Sequence, residues 1–568
     1  MGGWGAAAGW ASRGMSTDVG VSGSGGVAVD CDLGSRLTEE EADVFALIMD
    51  VVKGKGLAVT PRVAGGWVRD KLMGKESKDL DVALDTMMGV EFAEHLNDVL
   101  AARGHRTHSV GEIRVNPEKS KHLETATVRV GELEMDVVNL RSESYAEGSR
   151  IPEAMAFGTA EEDALRRDLT INALFYNLVT GEVEDLTGRG LADLRAGLCR
   201  APMADQRQTL LDDPLRALRA VRFAARFRFA LDGDLADACR DPDVLTALRD
   251  KVSRERVGAE LNGMLKHDPP RALAALAALG MFDAVATLPD GMDAPDGGAA
   301  DPRSLAADCV FGMLVALEVA ASAGIAPPAS SAEGRLLHLA GFFSPLAGRT
   351  YPAKKNKPRP AAEFVIKESL KLRGKDSDAV CALHRAAAAS FDRLLDQVQG
   401  VGGEGGPTRV QLGLALREAG AEWRVALALA AARRVRQSTV FDPSSLLRPD
   451  IVTDGEVIPG GGLDGEDEVA AMARARGSLP AEEMAREASG ARKVADLVAD
   501  MGLDECWELK PLLNGEEVMR ALGRTRGGPW LGSVTPQLLA WQLERPHGSK
   551  DECAAWLAAE VGPSLPPP

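Results

Sequence analysis

The chain has 568 residues, enough for three or four domains at roughly 100–200 residues each, which excludes a small disulfide-stapled scaffold. Apolar residues make up 45% and charged residues 26%, ordinary globular values, but aromatics reach only 4%, so Ala-rich, thinly packed helices are expected. Against 66 basic residues stand 84 acidic ones, a formal net charge of −18 that excludes a protein coating nucleic acid through bulk positive charge.

Residues 1–35 are rich in Gly, Ala and Ser, with Arg13 set against Asp18, Asp30 and Asp32. That is a poor match to an Arg-rich transit helix, so a disordered tail is expected, or a short removable leader if Met15 is a second start. Over 36–200, β-type runs alternate with helical patterns: Arg62 to Ala64, Leu80 to Leu84, Thr125 to Val130, and Leu133 to Leu140 after a Gly131-Glu132 turn. This segment is expected to hold a small mixed sheet. Beyond about Arg200 the strand signals fade, and Ala/Leu/Arg-rich helical spacing runs to the end. Gly/Pro/acid-rich breaks at Pro289 to Asp301, Gly400 to Pro407 and Pro459 to Asp467 divide this part into a helical neck (201–289), body (290–458) and tail (459–568). Pattern alone leaves the N-terminal part α/β or α+β and the remainder mostly helical; the predicted fold class, α+β with a mixed-sheet head followed by all-helical neck, body and tail, is what the family resemblance given below implies. The most apolar window, Leu305 to Ala326, is interrupted by Asp308 and Glu318 and reads as a core helix, not a membrane span. Seven scattered cysteines without a C-x-x-C pair predict reduced thiols, no structural zinc and an intracellular protein; the cytoplasm is expected, with mitochondrion, plastid and nucleus left open.

Chemistry concentrates in the head. Ala64-Gly65-Gly66-Trp67-Val68-Arg69-Asp70 sets two glycines between a predicted strand and a helix start, where bare backbone amides can approach a polyphosphate. Taken alone the pair reads equally as an ordinary strand-to-helix turn. Asp79 and Asp81 follow in Asp79-Leu80-Asp81-Val82, at i and i+2 on a strand, so both carboxylates share one face while Leu80 and Val82 point to a core. Two hard oxygen donors with room left for phosphate suit Mg²⁺ better than zinc or a closed calcium cage. Asp136, in the alternating run Glu134 to Leu140, can join them if the two strands are neighbours, with Glu134 on the same face as the rival candidate. Three acids could hold two Mg²⁺ about 3.5–4 Å apart, one activating an attacking hydroxyl and one steadying a departing pyrophosphate.

Together with Arg166-Arg167-Asp168-Leu169-Thr170-Ile171-Asn172-Ala173, these strings resemble the polymerase-β nucleotidyltransferase superfamily, specifically the class II tRNA nucleotidyltransferases, and weaker likeness in Asn116 to Thr125, Lys510 to Gly515 and Trp541 to Glu544 resembles the plant and fungal branch. Two further blocks extend the resemblance: Asp212-Asp213-Pro214-Leu215-Arg216 through Arg222, and Ser253 through Leu261. The resemblance implies template-independent addition of CCA to tRNA 3′ ends from CTP and ATP, with tRNA as partner, Mg²⁺ as cofactor and no membrane. It assigns Asp79 and Asp81 to the metals and Asp136 to completing the catalytic site. Gly65, Gly66 and Arg69 fall to the triphosphate, Arg167, Asp168 and Asn172 to phosphate and ribose, and Arg219 and Arg222 to triphosphate. Alternatives are a poly(A) polymerase, an enzyme adding part of CCA, and a non-catalytic tRNA-binding protein; the full-length stretch Gly111 to Thr125, in the place of the family's flexible loop, favours complete addition.

Asp213 and Arg216 also have a reading of their own. Three apart on a helix, they would be neighbours offering a carboxylate acceptor beside a guanidinium donor, which matches the Watson–Crick edges of cytosine and adenine and opposes those of uracil and guanine. A surface ion pair has the same spacing. Arg216, Arg219, Arg222 and Arg226 share a helix face with only Asp212 and Asp213 as sequence neighbours of opposite charge, and unneutralised arginines call for an anion. Arg254, Glu255 and Arg256 read as a solvated helix start capped by Ser253, with no catalytic role. Finally Lys354, Lys355 and Lys357 head a local basic segment, read either as an RNA-backbone contact or as a solvated loop.

Overall fold

The computed structural model describes residue 29 and residues 31–565 apart from 78, 105–110, 114–124, 132, 146–151, 293–300, 354–356, 402–404, 440–441 and 443–478. Short alternating runs build the head: Arg62–Ala64 (β1), Asp79–Leu84 (β2), Gly111–Ile113 (β3), Thr125–Val130 (β4) and Leu133–Asn139 (β5), then a separate hairpin of Arg141–Tyr145 (β6) and Pro152–Phe157 (β7). Phe175–Asn177 (β8) and Glu182–Glu184 (β9) complete a seven-stranded sheet in the order β3, β4, β5, β2, β1, β8, β9. Every neighbouring pair is antiparallel except β2 and β5, which run parallel. A parallel pair needs a crossover. Gly89–Ala102, β3 and β4 supply it here, burying Phe92, Leu96 and Leu100 on the sheet.

Among the described residues, five helices belong to the head: α1 (Glu39–Gly54), α2 (Gly66–Leu72), α3 (Gly89–Ala102), α4 (Ala160–Leu165) and α5 (Gly190–Ala196). The first begins in a capping box between Thr38 and Glu41 and buries Val44, Leu47, Ile48 and Val51, the spacing of one helix face. The core reaches further towards the N-terminus than a tail ending at 35 allows: Leu33 is 1% exposed and a 3-10 turn follows at Gly34–Arg36.

The neck comprises α6 (Gln206–Asp212), α7 (Leu215–Phe227), α8 (Gly233–Arg240), α9 (Pro242–Lys251), α10 (Arg254–Met264), α11 (Pro269–Ala278) and α12 (Phe282–Val285). In the body, α13 (Pro302–Ala323) is long and apolar enough to cross a membrane, but most of it is buried against α14 (Ala332–Phe342) and the helices Trp423–Ser438 and Ala481–Asp500, as a core helix is. Among the described residues, two short strand pairs punctuate the helical part, Leu198–Cys199 with Ala230–Leu231 and Thr350–Pro352 with Pro358–Pro360.

The boundary expected at 459 lies outside the described residues, and packing divides the chain later. Ala488, Ala491, Val494 and Val498 join the hydrophobic core that runs from head to body, whereas Leu513, Val518, Val534, Leu538, Trp541 and Leu557 form a core of their own. The helix Ala481–Asp500 thus packs with the body. All seven cysteines are free thiols.

Candidate active site

The site lies where the sheet meets α2, the Arg166 to Asn172 turn and α7. Gly65 stands at φ 69° between β1 and α2. A Cβ there would come 2.8 Å from Arg167 Nη1 and 3.4 Å from the Asn172 carbonyl oxygen, so only glycine fits the conformation and the space. Gly65 therefore lets α2 start directly against the Arg167 guanidinium, whereas a Cβ at Gly66 would make only an ordinary contact, 3.7 Å from Arg69 Nη2.

On β2, Asp79 and Asp81 are exposed while Leu80 and Val82 are buried, the predicted alternation. The parallel register pairs Asp79 with Glu134 and Asp81 with Asp136. Asp136 is consequently the acid beside Asp81, and its Oδ1 accepts a hydrogen bond from Thr127 Oγ1 at 2.7 Å, while Glu134 lies one step away beside Asp79. Desolvation in the cleft pushes the Asp81 carboxyl above its ordinary range, and Asp136 and Asp79 push the same way against Arg167. Among the described residues no three His, Cys, Asp or Glu side chains close into a metal cage. An open pair of exposed carboxylates, crowded by a third, fits a hard divalent cation that keeps positions for phosphate oxygens.

A cavity of about 570 Å³ opens over this face. Gly65, Gly66, Arg69, Asp79, Asp81, Arg167, Asp168, Asn172, Asp213, Arg216 and Arg219 all line it; of the residues predicted to be catalytic or to bind nucleotide, Asp136 and Arg222 do not. Its walls are cross-braced. Arg69, 3% exposed, donates from Nε to Asp70 Oδ1 at 2.8 Å and from Nη1 to Asn172 Oδ1. Asn172 in turn donates to Asp168 Oδ1 at 3.0 Å. Arg167 is clamped by Asp163 at 3.0 and 3.1 Å and donates to the Asn172 carbonyl at 3.2 Å. Burial alone would raise Asp168, but Arg219, Asn172 and the Leu169 amide outweigh it and hold its carboxyl below the usual range.

Three expectations about the neck need correction. First, Asp213 and Arg216 do not share a helix: α6 ends at Asp212, Asp213 is extended at φ −138° and ψ 98°, and Pro214 precedes α7. A proline cannot continue the α6 hydrogen-bond ladder, so the chain breaks there. Asp213 pairs instead with Arg256 of α10, Nη2 to Oδ2 at 2.8 Å, and Arg216 donates to the carbonyls of Thr209 at 3.1 Å and Arg166 at 2.6 Å. Second, the α7 arginines are not unneutralised. Arg219 meets Asp168 at 2.6 Å, Arg222 meets Glu260 at 2.6 Å and Arg226 meets Asp70 at 3.5 Å. These acids are remote in sequence, and only the tertiary fold brings them in. Third, the start of α10 is not a solvated charge run: Ser253 makes no side-chain cap, and Arg254 is part-buried, donating to Ser369 O at 2.6 Å and Ala284 O at 2.9 Å.

Arg256 is thus a cavity residue to which the sequence reading gave no role. Arg141, Arg166 and Phe223 line the cavity as well, and Phe223 is marked only by its place among the arginines of α7. In the basic segment, Lys357 is exposed, whereas Lys354 and Lys355 lie outside the described residues. Of Gly111 to Thr125, only the ends of the stretch are described.

Residues 61–200, the segment carrying the sheet and the acids, match the family model for the poly A polymerase head domain. Poly(A) polymerase I of Escherichia coli O157:H7 is 34% identical over 33% of this chain and 38% of its own. A crystal structure of the Bacillus stearothermophilus CCA-adding enzyme in complex with CTP shares the fold, with a TM-score of 0.55 at 18% identity over 93% of this chain and 99% of that one. The mitochondrial CCA tRNA nucleotidyltransferase of Saccharomyces cerevisiae is 32% identical across 92% of this chain and 93% of its own length. With a relative 32% identical over nearly the full length of both chains, the chain belongs to the CCA tRNA nucleotidyltransferases.

Proposed function

We propose that the protein adds C, C and A in turn to the 3′ end of tRNA, taking CTP and ATP and releasing pyrophosphate. One observation carries the reading: the Asp79/Asp81 pair, with Asp136 beside Asp81 in the sheet, lines the same cavity as Asp213 and Arg216. The reaction joins the tRNA 3′ hydroxyl oxygen to the α-phosphorus, breaks the bond from that phosphorus to the bridging oxygen, and sends the charge out on pyrophosphate.

Family membership implies dependence on a divalent metal. Mg²⁺ is our assignment; Asp79 and Asp81, with Asp136 beside Asp81, would hold it, and it would lower the pKa of the attacking hydroxyl and offset charge on the leaving group. Gly65 and Gly66 let the backbone approach the triphosphate, and Arg69, Arg219 and Arg222 supply positive charge behind it. Asp168 and Asn172 brace Arg219 and Arg69, while Arg167 reaches the cavity beside Gly65.

Base choice falls to Asp213 and Arg216. Asp213, steadied by Arg256, accepts from the exocyclic amine of cytosine or adenine, and Arg216, fixed by two backbone carbonyls, donates to the ring nitrogen. Uracil and guanine would set a carbonyl against the carboxylate and leave buried polar groups unpaired, which is how a polar site rejects a near-isostere. A protein surface takes the place of a template. The mitochondrial designation of the Saccharomyces cerevisiae relative makes the mitochondrion our proposed compartment. Incubating the protein with tRNA lacking its 3′ end and each nucleotide singly tests the function: CTP alone should extend it, while UTP and GTP should not.

A further inference from the structure

Along α7 the arginines are interleaved with two phenylalanines that the nucleotide-binding reading does not use. Phe223 and Phe227 are one turn apart, their rings parallel to within 2° at a centroid separation of 5.9 Å. Five cations pack around them. The Arg69 guanidinium, from α2, lies 5.2 Å from the Phe223 ring centre and 4.5 Å from that of Phe227. Arg219 and Arg222 approach Phe223 at 5.5 and 4.2 Å, and Arg226 and Lys75 approach Phe227 at 5.0 and 5.2 Å. Arg69, Arg219, Arg226 and Phe223 itself line the active-site cavity.

Like charges at this density repel one another and would splay apart without something to hold them. Carboxylates account for part of that: Asp70, Asp168 and Glu260 each take an arginine by its edge. Every such contact, however, consumes N–H donors, of which a guanidinium has five. An aromatic face attracts the cation through its quadrupole and takes no donor at all. The rings can therefore hold arginines in place while leaving in-plane N–H groups for an anion. Leucine would fill similar space on the helix but has no quadrupole to offer.

We infer that the Phe223–Phe227 pair is a positioning platform that presents the arginine cluster to the triphosphate, setting affinity for the phosphates of any nucleotide and not the choice of base. The inference rests on the proposed nucleotide-binding role of this cavity. Neither ring is a catalytic residue; both act through the guanidinium groups.

The test compares wild type with Phe223→Leu and Phe223→Tyr. Expected for F223L is a rise of roughly tenfold in KM for CTP and for ATP by one common factor, as loss of a desolvated cation–π contact predicts. The inhibition constant of inorganic tripolyphosphate, a base-free probe, should rise by the same factor, with the preference for C and A over U and G unchanged. F223Y, which keeps the π face, should restore both constants. A purely structural role would lower kcat and the unfolding midpoint without moving the tripolyphosphate constant. If F223L leaves KM and that constant within twofold of wild type, or if F223Y is as impaired as F223L, the inference is overturned. Should F223L fail to fold, Phe227→Leu and Phe227→Tyr read the same platform by the same criteria. Failure of the underlying function is separately visible: a wild type that extends no tRNA and is not bound by tripolyphosphate has no triphosphate site for the rings to organise.

Discussion

Replacing Arg216 by alanine should damage two properties that can be measured apart. Arg216 is 9% exposed and donates to Thr209 O at 3.1 Å and Arg166 O at 2.6 Å, tying the end of α6 and the Arg166 turn to the first turn of α7. Charge-assisted hydrogen bonds contribute roughly 1.5–3 kcal/mol each, and the freed carbonyls regain some water from the open cavity, so a net loss of about 2–4 kcal/mol in stability is expected. If its remaining donors read the base edge, losing one further bond of that size costs one to two orders of magnitude in preference for CTP and ATP over UTP and GTP, at about 1.4 kcal/mol per factor of ten. Urea unfolding reports the first effect. The second is read as kcat/KM for each of the four nucleotides on one truncated tRNA, at a temperature where the variant is folded. An unchanged urea midpoint would refute the bracing role, and a fall in all four constants by one common factor would refute the base-selecting role.

Other consequences follow from the same geometry. Asp79→Ala or Asp81→Ala should abolish incorporation with tRNA affinity nearly intact, since losing about 4 kcal/mol of transition-state stabilisation is roughly a thousandfold in rate; retained activity in both would remove the metal assignment. Gly65→Ala forces an L-residue to φ 69° with its Cβ against Arg167, and should cost at least about 1–3 kcal/mol in stability while raising the KM for nucleotide, both read on the purified variant. Burial would raise Asp163, but Arg167 and Arg166 outweigh it and hold it below the usual carboxylate range. A depressed folded pKa gives stabilisation that is present above the unfolded value of about 3.9 and lost as pH falls through the folded one. Asp163→Asn should therefore be less stable at pH 7 and lose less further stability on acidification below about pH 5, as urea midpoints across that range would record.

Patterns local in sequence were legible in advance. Alternation in Asp79 to Leu84 and Leu133 to Asn139 identified both strands and their acidic faces, because a period of two needs no tertiary information. Which acid stands beside Asp81 was not legible, since Glu134 and Asp136 share a face and only the parallel register separates them. The charge balance of α7 was misread for a related reason. Glu260 is 38 residues from Arg222 and Asp168 is 51 from Arg219, distances at which a helical wheel says nothing. Arg256 was read as solvated because an exposed helix start and a part-buried clamp have the same local sequence, and its partner Asp213 is 43 residues away. The Thr350–Pro352 and Pro358–Pro360 strand pair was hidden by prolines, which argue against strands except at edges such as this one.

The central claim is that protein side chains, without a template, direct three specific nucleotides onto tRNA. It is tested most directly by supplying all four nucleoside triphosphates together with tRNA lacking its 3′ end and sequencing the extended products. The account predicts that C, C and A are added in that order and that extension then stops. A homopolymeric A tail, mixed incorporation of U and G, or no extension by protein that still binds tRNA would contradict it.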